Sequence, residues 1–188
     1  MAGRLPPLVL MTDDERLPDP LAAAAALPRG AMAIVRARDA ARRGELGRAL
    51  IALARRRDLF VLIADDPALA ARLGADGLHL PQARAREAGH WRARHPAWLI
   101  TASAHAPRAL QAAVDLLFLS PIFPTRSHPD RAALGAVRAN LIARSARVPV
   151  YALGGIAPRN AALLSGFAGI AAVEALAPSA SLCSAPPP

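Results

Sequence analysis

The sequence predicts a (β/α)₈ barrel, and two observations carry that prediction. Short apolar runs of strand length alternate with Ala-rich or amphipathic stretches of helix length, eight times along the 188 residues. No hairpin signal joins two consecutive runs, so a crossover is expected after each strand, as in a parallel sheet. A doubly wound open sheet is the alternative architecture. The chain is short for a barrel, since such folds usually run to about 250 residues.

The eight strands are predicted from the apolar runs. They are Leu8–Met11, Ala31–Val35, Leu59–Ala64, Gly77–Leu80, Trp98–Ala102, Asp115–Leu119, the six residues that begin Val148–Ile156, and Gly169–Val173. The strand that begins at Val148 is almost wholly apolar, which is typical of a parallel strand buried on both faces. It stops at Gly154 and Gly155, where the backbone can turn sharply.

Helices are predicted between the strands. They cover Pro20–Leu27, Asp39–Arg57, Pro67–Leu73, Ala83–Arg94, Pro107–Ala113, Arg131–Arg144 and Asn160–Ser165. Only Glu174–Ala177 remains for an eighth helix before Pro178, so the last helix is expected to be missing or vestigial. We therefore expect a single barrel domain over residues 1–177 and a disordered tail over residues 178–188.

The composition excludes several classes of function. The formal net charge is +9, yet all 23 basic residues are arginine, so chemistry that needs a lysine Schiff base is excluded. The arginines are scattered and aromatics make up 4% of the chain, so we expect no nucleic-acid partner. No apolar run reaches membrane-spanning length and no signal pattern opens the chain, so a cytoplasmic protein without a membrane partner is expected.

Polar residues at the carboxyl ends of the strands are the candidates for the site, because barrel enzymes place their chemistry there. They are Thr12, Asp13, Arg36, Arg38, Asp65, Ser103, His105, Ser120, Thr125, Ser127, His128 and the Gly154-Gly155 loop. The loop precedes a predicted helix, and that arrangement points backbone N–H groups at an anion. Arg36 and Arg38 are candidate anion ligands on one side of their strand. His105 is a candidate acid or base, because imidazole titrates near neutral pH.

Seven segments occur in a fixed order along the chain. They are Leu8–Asp13, Arg36–Arg38, Leu62–Asp66, Gly74–Leu80, Ser103–His105, Ser120–Thr125 and Val148–Ile156. Together they resemble the thiamine phosphate synthase and thiazole tautomerase superfamily, from the first strand to about Leu176. The resemblance implies one of two reactions. The synthase joins a pyrimidine diphosphate to a thiazole phosphate with Mg²⁺ on the leaving group, whereas the tautomerase moves a proton on a thiazole phosphate through a His and needs no metal.

The chain departs from the synthase pattern where the diphosphate and the metal would sit. The family's Gln-x-Arg-x-Lys is replaced by Ile34–Arg38, and its Asn-Asp pair by Ala64-Asp65. Its second metal-binding Asp falls at Arg84, and its Thr-x-Thr-Lys loop is Thr125–His128. A Ser beside the phosphate is Glu174 here, whose carboxylate would repel a phosphate unless it turned away or paired with an arginine.

The leading interpretation is a thiamine-pathway enzyme that binds a thiazole phosphate and acts as the tautomerase does, with His105 as its proton-transfer group. The Arg-x-Arg pattern and the Leu80-Pro81 strand ending favour this branch. The phosphate would rest on Gly154 and Gly155, beside Thr125 and Ser127. Two alternatives remain open. One is a divergent synthase that uses Arg36, Arg38, Asp65 and Ser103, with Mg²⁺ at Asp65; the other is a non-catalytic relative with a degenerate site.

A missing eighth helix would leave the outer faces of the first and last strands uncovered. Apolar side chains such as Leu8 and Leu10, or those at the alternate positions of the strands, would then be exposed, and such a patch usually marks an interface. A two-fold axis lets one patch cover its own copy, so we expect a homodimer with its interface near this gap. The alternative is that the Ala- and Pro-rich tail folds back over the gap.

Overall fold

Eight parallel strands close into a barrel in the computed structural model, which describes residues 5–106, 113–125 and 131–176. Each strand pairs with the next in sequence, and β8 pairs with β1. The strands are β1 Leu8–Met11, β2 Met32–Val35, β3 Phe60–Ala64, β4 Gly77–Leu80, β5 Leu99–Ala104, β6 Leu116–Leu119, β7 Val150–Ala152 and β8 Gly169–Ala172. The predicted (β/α)₈ barrel is confirmed, and the open sheet is excluded.

Helices follow the strands. They are α1 Pro20–Ala25, α2 Ala40–Arg57, α3 Pro67–Leu73, α4 Ala88–Arg94, α5 Ala136–Ser145 and α6 Pro158–Ala161, with 3₁₀ turns at Gln82–Glu87 and Glu174–Leu176. All but the last residue of the predicted helix Pro107–Ala113 falls outside the described residues. No helix in the described part of the chain is long and apolar enough to cross a membrane.

Aspartate caps explain why three helix starts were predicted to within a residue. The carboxylates of Asp19, Asp39 and Asp66 each accept a hydrogen bond from the backbone N–H three residues on, at 2.8, 2.8 and 2.9 Å. Pro follows two of these caps, at the first position of α1 and α3, where no N–H is needed. Within the Asp65-Asp66 pair, Asp66 is therefore the cap of α3, which leaves Asp65 for another role.

Two further aspartates set the register of neighbouring strands. Asp76 precedes β4, and its carboxylate accepts the Val61 N–H at 2.7 Å while its own N–H donates to the Val61 carbonyl at 2.9 Å. Asp115 precedes β6 and makes the same two bonds with Ile100, at 2.7 and 2.8 Å. Because two bonds tie one pair of residues, each aspartate aligns its strand against the preceding one.

The gap between the first and last units is more covered than predicted. Leu10 is fully buried and Leu8 is partly buried, so the expected exposure of Leu10 is wrong. Leu5, Leu8 and Leu176 pack against the main hydrophobic core. Tyr151 donates its hydroxyl to the Pro6 carbonyl at 2.6 Å, which ties the segment before β1 to β7. The segments just before β1 and just after β8 thus supply apolar cover, while the predicted tail 178–188 lies outside the described residues.

Candidate functional site

A cavity of about 750 Å³ opens at the carboxyl ends of the strands. Of the predicted site residues it is lined by Arg36, Asp65, Ser103, His105, Ser120, Thr125, Gly154 and Gly155, and Glu174 also lines it. Ser127 and His128 fall outside the described residues. The cavity thus brings together candidates from five different strand ends, as expected for a barrel mouth.

The cavity has two opposite sides. Asp65 follows β3 and Gly154 follows β7, and these strands are four places apart in the closed ring of eight. We call the wall of Arg36, Arg43 and Asp65 the β2–β3 side. The wall of Gly154, Gly155 and Arg159 is the β7–β8 side. Both sides carry groups that can bind an anion: guanidinium groups on each, and a glycine loop on one of them.

The β7–β8 side is built around a loop that requires glycine. Gly154 and Gly155 have φ angles of +94° and +67°, and a Cβ on Gly155 would lie 2.5 Å from the Pro124 carbonyl oxygen. Asn160 fixes the loop, because its amide donates to the Gly155 carbonyl and accepts from the Ala157 N–H, both at 2.9 Å. The helix that follows, α6, has only four residues, so it is shorter and earlier than the predicted Asn160–Ser165.

Arg36 is held rigidly on the β2–β3 side. Its backbone N–H donates to Thr12 Oγ1 at 2.8 Å, and its guanidinium donates to Asp13 Oδ2 at 2.8 Å. Arg16 donates to the same oxygen at 2.7 Å. Burial raises the pKa of the Asp13 carboxyl, but the hydrogen bonds and charge of Arg16 outweigh it and hold that pKa at about 2. Thr12 and Asp13 therefore position the Arg36 guanidinium in the barrel mouth.

Arg38 lies away from the cavity. Its side chain is exposed and donates to Glu15 Oε1 at 2.8 Å, so it does not line the cavity as Arg36 does. The predicted alternation fails here because β2 ends at Val35, and the period of two holds only within a strand.

Three arginines that line the cavity were missed by sequence reasoning. Arg16 comes from the loop after β1, Arg43 from the first turn of α2, and Arg159 from the start of α6. The Arg43 Nε is buried, and no hydrogen-bond partner for it exists among the described residues; its nearest carboxylate oxygen, on Asp66, is 3.9 Å away. The first turn of a helix that follows a barrel strand starts at the mouth, and this position is the signal that could have identified Arg43.

Asp65 pairs with a cation of the same chain. Arg84, in the 3₁₀ turn after β4, donates through Nη1 to Asp65 Oδ1. Its Nε and Nη2 donate to the two oxygens of Glu87 at 2.8 and 2.7 Å, and Trp91 Nε1 donates to Glu87 at 3.2 Å. The hydrogen bond to Glu87, and then the one to Asp65, raises the pKa of Arg84, while Arg84 lowers the pKa of Glu87 to about 2.

A resident Mg²⁺ ion does not fit these residues. Mg²⁺ takes oxygen ligands in an octahedron and is usually held by one or two carboxylates together with phosphates. The one predicted ligand, Asp65, is instead engaged by the guanidinium of Arg84.

A buried histidine orients Ser103 at the wall of the cavity. His79 Nε2 lies 3.1 Å from Ser103 Oγ, and His79 Nδ1 lies 2.8 Å from Thr101 Oγ1. Burial, with a smaller effect of the Arg36 charge, lowers the pKa of His79 to about 3, so the ring is neutral at physiological pH. The His79 ring also packs edge-to-face with Phe118, with ring centroids 5.3 Å apart, so it both fills the core and holds a hydroxyl of the cavity wall.

His105 lies in the cavity in a defined tautomer. Its Nδ1 is 3.0 Å from the Ser120 carbonyl oxygen, and its backbone N–H donates to Gln82 Oε1 at 2.6 Å. Because a carbonyl only accepts, Nδ1 carries a hydrogen in this contact, so in the neutral ring Nε2 is the nitrogen with the lone pair. That nitrogen is the one that can accept a proton.

Comparison with known proteins gives consistent matches. A family model described as thiamine monophosphate synthase matches residues 8–176. A thiamine-phosphate synthase of Thermus thermophilus is 40% identical over 118 residues, 59% of this chain and 55% of that protein, so the match spans about half of that relative. A thiamine-phosphate synthase of Herpetosiphon aurantiacus is 34% identical over 176 residues, 84% of this chain and 81% of that protein. A solved thiamine phosphate pyrophosphorylase from Pyrococcus furiosus has the same fold, with a TM-score of 0.74, 24% identity, and coverage of 94% of this chain and 89% of that one.

Proposed function

The chain belongs to the thiamine monophosphate synthase family, and from this premise we propose that it is a thiamine phosphate synthase. The reaction joins a pyrimidine diphosphate to a thiazole phosphate and releases inorganic diphosphate. One observation carries this choice over the tautomerase reaction, namely that the cavity presents anion-binding groups on two opposite sides. A reaction of two phosphorylated substrates needs two phosphate-binding sides, whereas a thiazole carboxylate phosphate has one phosphate and carries its carboxylate on the same small ring. The relatives compared above, which bear the synthase name, support the same choice.

Each substrate is assigned to one side. The thiazole phosphate binds on the β7–β8 side, where Gly154 and Gly155 bring the backbone close to an anion and Thr125 lines the cavity beside them. The diphosphate binds on the β2–β3 side, against the guanidinium groups of Arg36 and Arg43. Ser103, oriented by His79, lies on the cavity wall between the two sides.

The chemistry follows from that arrangement. The bond between the pyrimidine methylene carbon and the diphosphate oxygen breaks, and the thiazole nitrogen forms a new C–N bond to the same carbon. Negative charge accumulates on the departing diphosphate, so the cations that face it stabilise the transition state. Arg36 suits this role because Thr12 and Asp13 hold it in place before the reaction. Holding both substrates in one cavity supplies their relative orientation.

The test is the formation of thiamine phosphate from the two substrates. We expect equal amounts of thiamine phosphate and inorganic diphosphate, and we expect Arg36→Gln to lower kcat by about 10²-fold or more. Arg48→Gln, which changes an exposed arginine of α2, is the matched control and should retain the wild-type rate. Absence of product from the folded wild-type protein would reject the synthase.

A second candidate, proton transfer on a thiazole carboxylate phosphate, is favoured by one observation. The contact of His105 Nδ1 with the Ser120 carbonyl leaves Nε2 of the neutral ring as a proton acceptor in the same cavity. A tautomerase assay on that substrate, with His105→Ala, tests it: activity that the variant loses would favour this reaction. A protein with neither activity would be a non-catalytic relative.

A further inference from the structure

The position of Asp65 is fixed by its backbone conformation as well as by its hydrogen bond with Arg84. Its φ of +57° lies in the left-handed region, which non-glycine residues seldom adopt and which often accompanies a functional constraint. Its N–H donates to the His79 carbonyl at 2.9 Å. The chain therefore leaves β3 still bonded to β4, and the carboxylate meets the 3₁₀ turn that follows β4.

The guanidinium of Arg84 is fixed by a chain of side chains. Trp91 bonds to Glu87, Glu87 holds two nitrogens of Arg84, and the remaining terminal nitrogen reaches Asp65. Of these four hydrogen-bonded residues, Asp65 alone lines the cavity. Because most donors of Arg84 are already used on these two carboxylates, its charge acts on the cavity through Asp65 rather than by direct contact.

We propose that Arg84 takes the place of a divalent cation at Asp65, so that the cavity binds diphosphate without a metal. This inference rests on the proposed function, which puts a diphosphate on the β2–β3 side. A bare carboxylate there would repel the diphosphate, and a divalent cation between the two would remove that repulsion. The fixed guanidinium supplies the counter-charge from within the chain. A metal at Asp65 Oδ1 would have to displace the Arg84 guanidinium, and a metal at Oδ2 would lie close to the positive charge of that guanidinium.

Metal dependence of binding is the property that separates this role from a merely structural salt bridge. Titration calorimetry of the full chain with inorganic diphosphate, in EDTA and then in MgCl₂, measures it directly. We expect the two dissociation constants to agree within about twofold, which is a coupling factor close to one. Binding that requires Mg²⁺ would overturn the inference and leave the synthase proposal standing. No binding under either condition would overturn the inference and count against the synthase as well.

Variants of the pair test the charge argument. R84Q leaves the Asp65 carboxylate uncompensated, so diphosphate affinity in EDTA should fall by about tenfold or more. The double variant D65N/R84Q removes both charges and should recover most of that loss. R86Q, which removes an exposed arginine of the same turn, is the control and should bind like the wild type. If R84Q fails to fold, D65N alone still tests the proposal, because D65N should bind inorganic diphosphate in EDTA. Loss of that binding in D65N would contradict the proposal.

Direct metal binding gives a readout that needs no substrate. Mn²⁺ serves as a spectroscopic probe, and electron paramagnetic resonance reports how much of it is bound. The wild-type protein should bind no Mn²⁺ at Asp65. The variant R84D places a second carboxylate beside Asp65 and should gain Mn²⁺ binding, since paired carboxylates favour such ions. Mn²⁺ binding by the wild type that D65N removes would overturn the proposal.

Discussion

Arg36 and Arg38 show how much a single residue's position depends on where its strand ends. They are two residues apart, yet Arg36 lines the cavity and Arg38 bonds to Glu15 on the surface. We predict that Arg36→Gln weakens binding of inorganic diphosphate by about tenfold or more, because a charge-assisted contact is lost. Arg38→Gln should change it less than about twofold, as for an exposed pair. Titration calorimetry on both variants measures this, and equal losses would return Arg38 to the site.

His79 is the residue whose pH dependence is most sharply defined. Its folded pKa of about 3 lies below the ordinary value of 6.5, so below pH 6.5 the unfolded chain binds a proton that the native chain does not. Stability from this group is therefore complete above about pH 6.5 and is lost as the pH falls toward 3, by at most about 1.4 kcal/mol per pH unit. Urea unfolding at several pH values measures that slope.

Two variants, His79→Gln and His90→Gln, test whether His79 causes this change of the free energy of unfolding with pH. His79→Gln should be less stable at pH 7, because its hydrogen bonds to Thr101 and Ser103 are disturbed, but its acid slope should be shallower. His90 is exposed, so His90→Gln should keep the wild-type slope. A wild-type slope in the His79 variant would show that other groups cause the acid sensitivity.

At the scale of residues, the sequence predicted those parts of the cavity lining that lie at or just beyond the carboxyl end of a strand. The cavity is lined by Asp65, Ser103, His105 and the Gly154-Gly155 loop. These residues were predictable because the end of a strand is visible in the sequence as the point where an apolar run stops. Arg43 was missed because it lies in the first turn of α2 and not at the end of a strand. The pairing of Asp65 with Arg84 was also invisible, since it joins residues 19 positions apart through loop geometry.

At the scale of elements, the apolar pattern did not predict that the aspartates before β4 and β6 align these strands against the preceding ones by hydrogen bonds. Asp76→Ala leaves the buried Val61 without its hydrogen-bond acceptor, so we expect a loss of about 1–3 kcal/mol in the free energy of unfolding. Glu45→Ala, on an exposed position of α2, is the control and should change stability by less than about 0.5 kcal/mol. Urea unfolding distinguishes the two, and equal effects would show that the Asp76 bonds do not stabilise the barrel.

Element boundaries were predicted well where a side chain marks them and poorly elsewhere. β1, α3 and β4 begin and end as predicted, and Asp66 with Pro67 marks the start of α3. The predicted helix Ala83–Arg94 instead opens as a 3₁₀ turn over Gln82–Glu87. In such a turn side chains three residues apart align, which brings Glu87 against Arg84. A simple helical period does not predict that local change.

For the whole molecule, the homodimer remains a prediction that has lost one of its premises. The described chain buries Leu10 in the gap between β1 and β8, so this side chain cannot contribute to a shared apolar patch. The large apolar side chains that are exposed in the described ranges, Leu21, Val137, Leu141 and Leu163, lie on or near helices and not on these two strands. Light scattering of the full chain measures the oligomeric state directly.

The 3₁₀ turn Glu174–Leu176 lies at the end of the proposed domain of residues 1–177. Leu176 packs against the main core, whereas its neighbour Glu174 is exposed, so the 3₁₀ turn holds the last apolar contact of the described chain. We expect a chain truncated after Leu176 to unfold within about 3 °C of the full-length protein. A chain truncated after Val173 loses that contact and should be less stable by about 1–2 kcal/mol, because Leu176 is partly buried and full burial of a leucine side chain contributes about 1.5–3 kcal/mol. Calorimetry measures both midpoints, and light scattering on the same samples reports any change of oligomeric state. If truncation after Leu176 also destabilised the protein, the residues that follow would be part of the barrel's cover and the domain would extend beyond residue 177.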